Sequence, residues 1–107
     1  MKKVIIESPY AGDIERNIKY ARVCLKDSLN RNEAPLASHL LYTQEGVLDD
    51  TVESERMQGI NAGLAWLEVA DLHVFYIDYG MSKGMENARS FSIGSRVQLE
   101  FRRIGKK

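Results

Sequence analysis

Asp78 and Glu86 flank a glycine-punctuated turn, YGMSKGM, in the stretch 72–90. Two carboxylates on a strand-loop-helix corner are a candidate catalytic pair for general acid-base or nucleophilic work. The preceding residues place them. Leu72, Val74, Phe75, Tyr76 and Ile77 form an apolar run without strict alternation, the pattern of a strand buried on both faces of a parallel sheet. Asp78 then ends a central strand, Leu72 to Ile77, on the side where open α/β sheets bind ligands. Gly80 and Gly84 let the loop turn sharply, and Glu86 falls in the first turn of the next helix. An Asp is also a common turn residue, and a Glu is favoured there by the helix dipole alone. Spacing therefore leaves the chemistry open.

The elements that must hold this corner follow in chain order. Val4-Ile5-Ile6 reads as a buried first strand, and Glu7 to Gly12 as the loop after it, ended as a ladder by Pro9. Asp13 can cap a helix running to about Leu29, with Ile14, Ile18, Ala21 and Leu25 on its apolar face. Leu36 to Leu41 reads as a second strand with His39 near its end, giving a strand-helix-strand unit with a right-handed crossover. Asp50-Thr51-Val52-Glu53 resembles a capping box, and Met57, Ile60, Leu64 and Leu67 continue a stripe that reads as core. Gly59 and Gly63 inside that helix imply close packing on a strand or another subunit. Arg96 to Arg103 alternates, with Val97, Leu99 and Phe101 on one face, as in an edge strand with one solvated side. Ile104 to Lys107 is a short tail. The whole is expected to be one α/β domain, 1–107, a three-layer Rossmann-like or flavodoxin-like sandwich with a mainly parallel sheet of four or five strands.

Asp78-Tyr79-Gly80 followed by Gly84-Met85-Glu86 resembles the D-x-G-x-G-M-E signature of the nucleoside 2-deoxyribosyltransferase family, with two extra residues between Asp and Glu. The segment VIIESPYAGD resembles the first strand and loop of that superfamily. With APLASHLLYTQ and GINAGLAWLEVADLHVFYID, most of the chain is similar to its small phage and bacterial members. The resemblance implies Glu86 as nucleophile on the anomeric carbon of a deoxyribose, Asp78 handling the leaving base or orienting the sugar, and a Ser-Pro turn lining the sugar site. Tyr10 joins this catalytic set if it orients Glu86; otherwise it is an exposed loop aromatic. The candidate substrate-binding residues are Ser8, Pro9, Gly12, His39, Gly80, Ser82, Gly84 and Met85. His39 can stack on a base, meet a phosphate, or simply hydrogen-bond the backbone, whereas His73, inside an apolar strand, reads as structural. Tyr42 and Trp66 can stack on a base or on a neighbouring subunit. The expected function is N-glycosidic cleavage or deoxyribosyl transfer on a deoxynucleoside or deoxynucleotide; the alternative is a non-catalytic nucleotide-binding protein on the same fold.

Composition narrows the partners. Fifteen Lys and Arg balance fifteen Asp and Glu, so no overall field favours a nucleic acid polymer or an anionic membrane. One Cys and two separated His give no metal-ligand spacing, and no G-x-G-x-x-G or Walker pattern occurs, so neither metal nor cofactor is expected. Cys24 reads as a packed residue of a reducing compartment. The apolar run after Met1-Lys2-Lys3 ends at Glu7, too short for a signal peptide or a membrane span, which points to the cytoplasm. A domain this small, with an edge strand and a glycine-bearing helix, is expected to form a homodimer or larger.

Overall fold

The computed structural model describes residues 1–105; Lys106 and Lys107 of the expected tail lie outside the described residues. Four parallel strands form one sheet in the order β2-β1-β3-β4, where β1 is Lys3–Glu7, β2 Ala34–Leu36, β3 Leu72–Tyr76 and β4 Gln98–Arg102. The helices are α1 (Ile14–Asn30), α2 (Ser38–Leu41), α3 (Glu53–Ala65), which runs into a 3-10 turn at Trp66–Glu68, and α4 (Lys83–Ile93). This is the α/β three-layer architecture expected from the sequence.

The chain leaves β1 outward to β2, then returns past β1 to β3. The strand order therefore reverses between β1 and β3, and two neighbouring loops diverge from their carboxyl ends. α1 packs on one face through Tyr20 and Cys24 against Val4, Ile6, Leu72, Val74 and Tyr76. α4 packs on the other through Met85 and Ala88 against Phe75. Every residue of β3 is buried, which accounts for its unbroken apolar run.

The second strand is shorter than expected. Only Ala34–Leu36 pairs with β1, and Ser38–Leu41 forms one helical turn in which Leu41 N–H donates to Ala37 O at 3.0 Å. The segment Leu36 to Leu41 contains no β-branched residue to resist this, so His39 sits on a helix rather than at a strand end.

The apolar faces also shift. α1 buries Asn17, Tyr20, Ala21, Cys24 and Ser28, leaving Ile14 exposed, because the polar atoms of Tyr20 and Asn17 find partners beneath the helix. No side chain of Asp50-x-x-Glu53 caps α3. Asp49 instead holds Thr51 N–H at 3.0 Å, and Glu55 accepts the Asp49 N–H at 2.8 Å. Of the α3 stripe only Leu67 is core; Met57 and Ile60 are 42% and 38% exposed.

β4 is the edge strand expected, but its burial does not follow the expected alternation: Phe101, on the apolar face, is 46% exposed. Arg102, on the face expected to be solvated, is buried and donates to Glu33 at 2.8 and 3.0 Å and to Tyr76 Oη at 3.1 Å. Tyr76 Oη in turn donates to Asp27 at 2.7 Å. This network of side chains closes the face of β4 that carries Arg102.

Candidate functional site

Where the strand order reverses, a crevice of about 600 Å³ opens at the carboxyl ends of β1 and β3. That volume is in the range of small-molecule sites. Its walls come from the β1–α1 loop, α2, α3 and the start of α4.

The floor is set by the end of β1. Glu7 Oε2 accepts from His73 Nε2 at 2.9 Å, since a carboxylate can only accept. His73 is fully buried on β3 and has no partner at Nδ1. The Glu7 side chain is 16% exposed, open to the crevice. Next to it the buried Ser8 places Oγ 2.6 Å from His39 Nε2. Burial holds His39 below its ordinary value, with the Glu7 charge acting in the opposite sense, so the ring is neutral at pH 7. The loop that follows is fixed by Asn17, whose Nδ2 donates to the carbonyls of Tyr10 at 2.9 Å and Ala11 at 3.1 Å.

One wall is apolar: Met57, Ile60 and Leu64 of α3, facing Met85 and Ala88. Their exposure is exposure to this crevice, which is why a stripe at core spacing is not core. The glycines of α3 serve the same wall. A Cβ at Gly63 would lie 2.9 Å from Ser38 Cβ, so only glycine lets α3 lie against α2. The close packing inferred from Gly59 and Gly63 is thus against α2 and the following loop, where Gly59 meets Leu48. Trp66 Nε1 donates to Tyr42 Oη at 2.9 Å, tying α3 to the segment after α2.

The other wall begins α4. Ser82 Oγ accepts the Met85 N–H at 3.2 Å, leaving the backbone of Lys83 and Gly84 at a positive helix end. Of the charges lining the crevice, Arg56 approaches Asp50 at 4.0 Å and Glu55 accepts the Asp49 N–H. Glu7, Glu55 and Lys83 form no ion pair with Asp, Glu, Lys or Arg among the described residues, so the crevice carries two unpaired negative groups and one positive.

Of the residues singled out from sequence, Ser8, Tyr10, His39, Ser82, Gly84 and Met85 meet here. Pro9, Gly12 and Gly80 lie off the lining; Gly12 and Gly80 serve turns at positive φ. Neither expected catalytic carboxylate lines the crevice. Asp78 turns toward α1, where Tyr20 Oη donates to it at 2.5 Å and the N–H groups of Ile104 and Gly105 donate at 2.8 and 2.9 Å. Burial alone would raise its carboxyl, but these donors outweigh it and hold the group below the ordinary carboxylate value. Glu86 is 52% exposed and 3.5 Å from Arg89. The crevice takes Lys83, Gly84, Met85, Asn87 and Ala88 from α4, a set centred on Gly84, and Glu86 lies roughly 200° round the helix from Gly84.

Glu7, Asn17, Lys83, Met57 and Ile60 were not foreseen as site residues. Glu7 carried the signal that drew attention to Asp78, an acid closing an apolar run; Asn17 carried none. A second hollow, of about 700 Å³, lies at the amino ends of β3 and β4 between α3 and α4. It is shallower and sits away from the diverging loops.

No curated protein and no solved structure matches this chain. A family model does match, over residues 2–102, and its description is a domain of unknown function, DUF7768. The chain belongs to that family.

Proposed function

We propose that the crevice binds a nucleoside or nucleotide without cleaving it. The observation that carries this reading is the combination at the strand reversal: an apolar wall of Met57, Ile60 and Leu64 facing a polar floor of Glu7 and Ser8, with Lys83 and the start of α4 at one side. A planar base suits the apolar wall, a sugar the floor, and a phosphate the positive helix end. The resemblance to nucleoside 2-deoxyribosyltransferases supports the same ligand class. It also suggests cleavage through Glu86, but that carboxylate pairs with Arg89 outside the crevice lining, which favours binding over turnover.

Calorimetric titration with nucleosides and their 5′-monophosphates, beside chromatography for free base, tests the reading. Saturable binding with no released base, unchanged in Glu86→Ala, is expected. Base release that disappears in Glu86→Ala would replace it with the enzymatic reading, and absence of binding would remove it.

A further inference from the structure

Two consecutive residues at the end of β1, Glu7 and Ser8, are each held by a histidine from another element: Glu7 by His73 of β3, Ser8 by His39 of α2. Both histidines engage through Nε2, and both leave a buried Nδ1 without a partner.

For His39 that orphan atom assigns the tautomer. A proton on Nδ1 would strand an N–H donor in the interior, whereas a proton on Nε2 leaves only a bare acceptor, and orphaned buried donors are the rarer of the two. His39 Nε2 then donates to Ser8 Oγ. The Ser8 hydroxyl hydrogen remains free to donate elsewhere. At Glu7 the pattern is complementary: Oε2 accepts from His73, and no described residue donates to Oε1. The floor of the crevice therefore offers one fixed charged acceptor beside one fixed hydroxyl donor.

We propose that Glu7 and Ser8 read the hydroxyl groups of a pentose, and that this pair sets a requirement for a hydroxylated sugar on the bound ligand. A sugar hydroxyl is the group that both accepts and donates. It can give its proton to Glu7 Oε1 and take one from Ser8 Oγ, and a carboxylate is the stronger of the two partners. The inference rests on the nucleoside reading of the crevice. His73 and His39 act as positioning residues, since neither contacts the ligand through its engaged nitrogen.

The test compares affinities for ribonucleosides, 2′-deoxynucleosides, 2′,3′-dideoxynucleosides and free D-ribose in the wild type, Glu7→Gln and Ser8→Ala. Circular dichroism confirms that each variant is folded. Glu7→Gln keeps the shape of the side chain and an oxygen for His73. The wild type is expected to lose roughly 10- to 100-fold in affinity from the ribo- to the dideoxynucleoside, the scale of one or two hydrogen bonds to a charged group. In Glu7→Gln that ratio should shrink to within about threefold, with Ser8→Ala between the two. Equal wild-type affinity for ribo and dideoxy probes, or discrimination that survives in both variants, overturns the inference and leaves nucleoside binding standing. Binding of D-ribose that is lost in Glu7→Gln, with no preference for any nucleoside, keeps the inference and removes the nucleoside reading. Failure of every pentose probe to bind removes both.

Discussion

The acids that close β1 and extend β3 were laid down by the same kind of sequence, an apolar run ending in a carboxylate, and the fold uses them in opposite ways. Asp78 turns to the α1 face, where a phenol and two backbone N–H groups satisfy it and dock the residues after β4. Glu7 stays on the other side of the sheet reversal with one donor, His73, and a second oxygen open to the crevice. The α1 face as a whole follows Asp78: Arg102, Glu33, Tyr76 and Asp27 bond to one another. The difference teaches that hydrogen-bonding capacity left over, rather than residue type, marks where a ligand can act. A saturated carboxylate stabilises the fold; a half-satisfied one is available.

Breaking the saturated side should cost most. Glu33→Ala takes the two-oxygen acceptor from the Arg102 guanidinium, whose side chain is 4% exposed, and leaves it Glu100 at 2.6 Å and Tyr76; loss of one partner of a buried pair costs up to about 3–5 kcal/mol. Thermal unfolding should fall by more than about 10 °C. Urea unfolding of the variant measures the same quantity, and a loss below about 1 kcal/mol would show that water replaces Glu33. Asp78→Ala should follow at about 2–3 kcal/mol, because the Tyr20 hydroxyl and two N–H groups lose a charged acceptor together. Binding in the crevice should survive it at temperatures where the variant is folded. A selective loss of binding would return Asp78 to the site.

The two regions should also separate by pH. Asp78 is held below its ordinary value, so the unfolded chain takes up its proton first as pH falls. Its stabilisation is present above the ordinary carboxylate value near 3.8 and is lost as pH drops through the lower folded value. Asp78→Asn should flatten that acid limb in denaturant titrations. His39 is likewise held below its ordinary 6.5, but here the charged form is the protonated one. The unfolded chain again binds more protons below 6.5, so stability falls as pH drops through that region. Protonation would force an N–H onto the unpartnered Nδ1. Replacing His39 with Gln should remove this near-neutral slope and leave the more acidic one. A wild-type curve flat between pH 7.5 and about 5.5 would contradict the buried, neutral imidazole.

The strands were largely legible in the sequence because burial on both faces writes itself as an unbroken apolar run, as in Val4-Ile5-Ile6 and Leu72 to Ile77. The reading failed where a local pattern could be satisfied in more than one way. Leu36 to Leu41 is apolar enough for a strand, yet with Leu, Ala, Ser and His and no β-branching it makes a helical turn, carrying His39 with it. The stripe Met57, Ile60, Leu64 has the spacing of a core face, and spacing does not say whether that face meets the sheet or an open crevice. Ser8, Tyr10, His39, Ser82, Gly84 and Met85, singled out from strand ends and turn residues, all line the crevice. Asp78 and Glu86 lie off that lining, since which way a side chain leaves a strand end or helix depends on partners far along the chain, such as Ile104 and Gly105 for Asp78.

The smallest expected effect is the sharpest discriminator of the comparison. Glu86 has a more exposed carboxylate than Glu7, and its partner Arg89 is three residues on in the same helix and itself half exposed. Such a pair is worth a few tenths of a kcal/mol, to which its place in the first turn of α4 adds a similar dipole contribution. Glu86→Ala should therefore shift stability by no more than about 0.5 kcal/mol and leave nucleoside affinity unchanged within experimental scatter. Glu7→Gln should leave stability nearly as it was and change affinity. If the two variants exchanged these behaviours, with Glu86→Ala costing tenfold or more in binding and Glu7→Gln nothing, then α4 must turn its other face to the ligand in the bound state. The unsatisfied oxygen of Glu7 would then face only water.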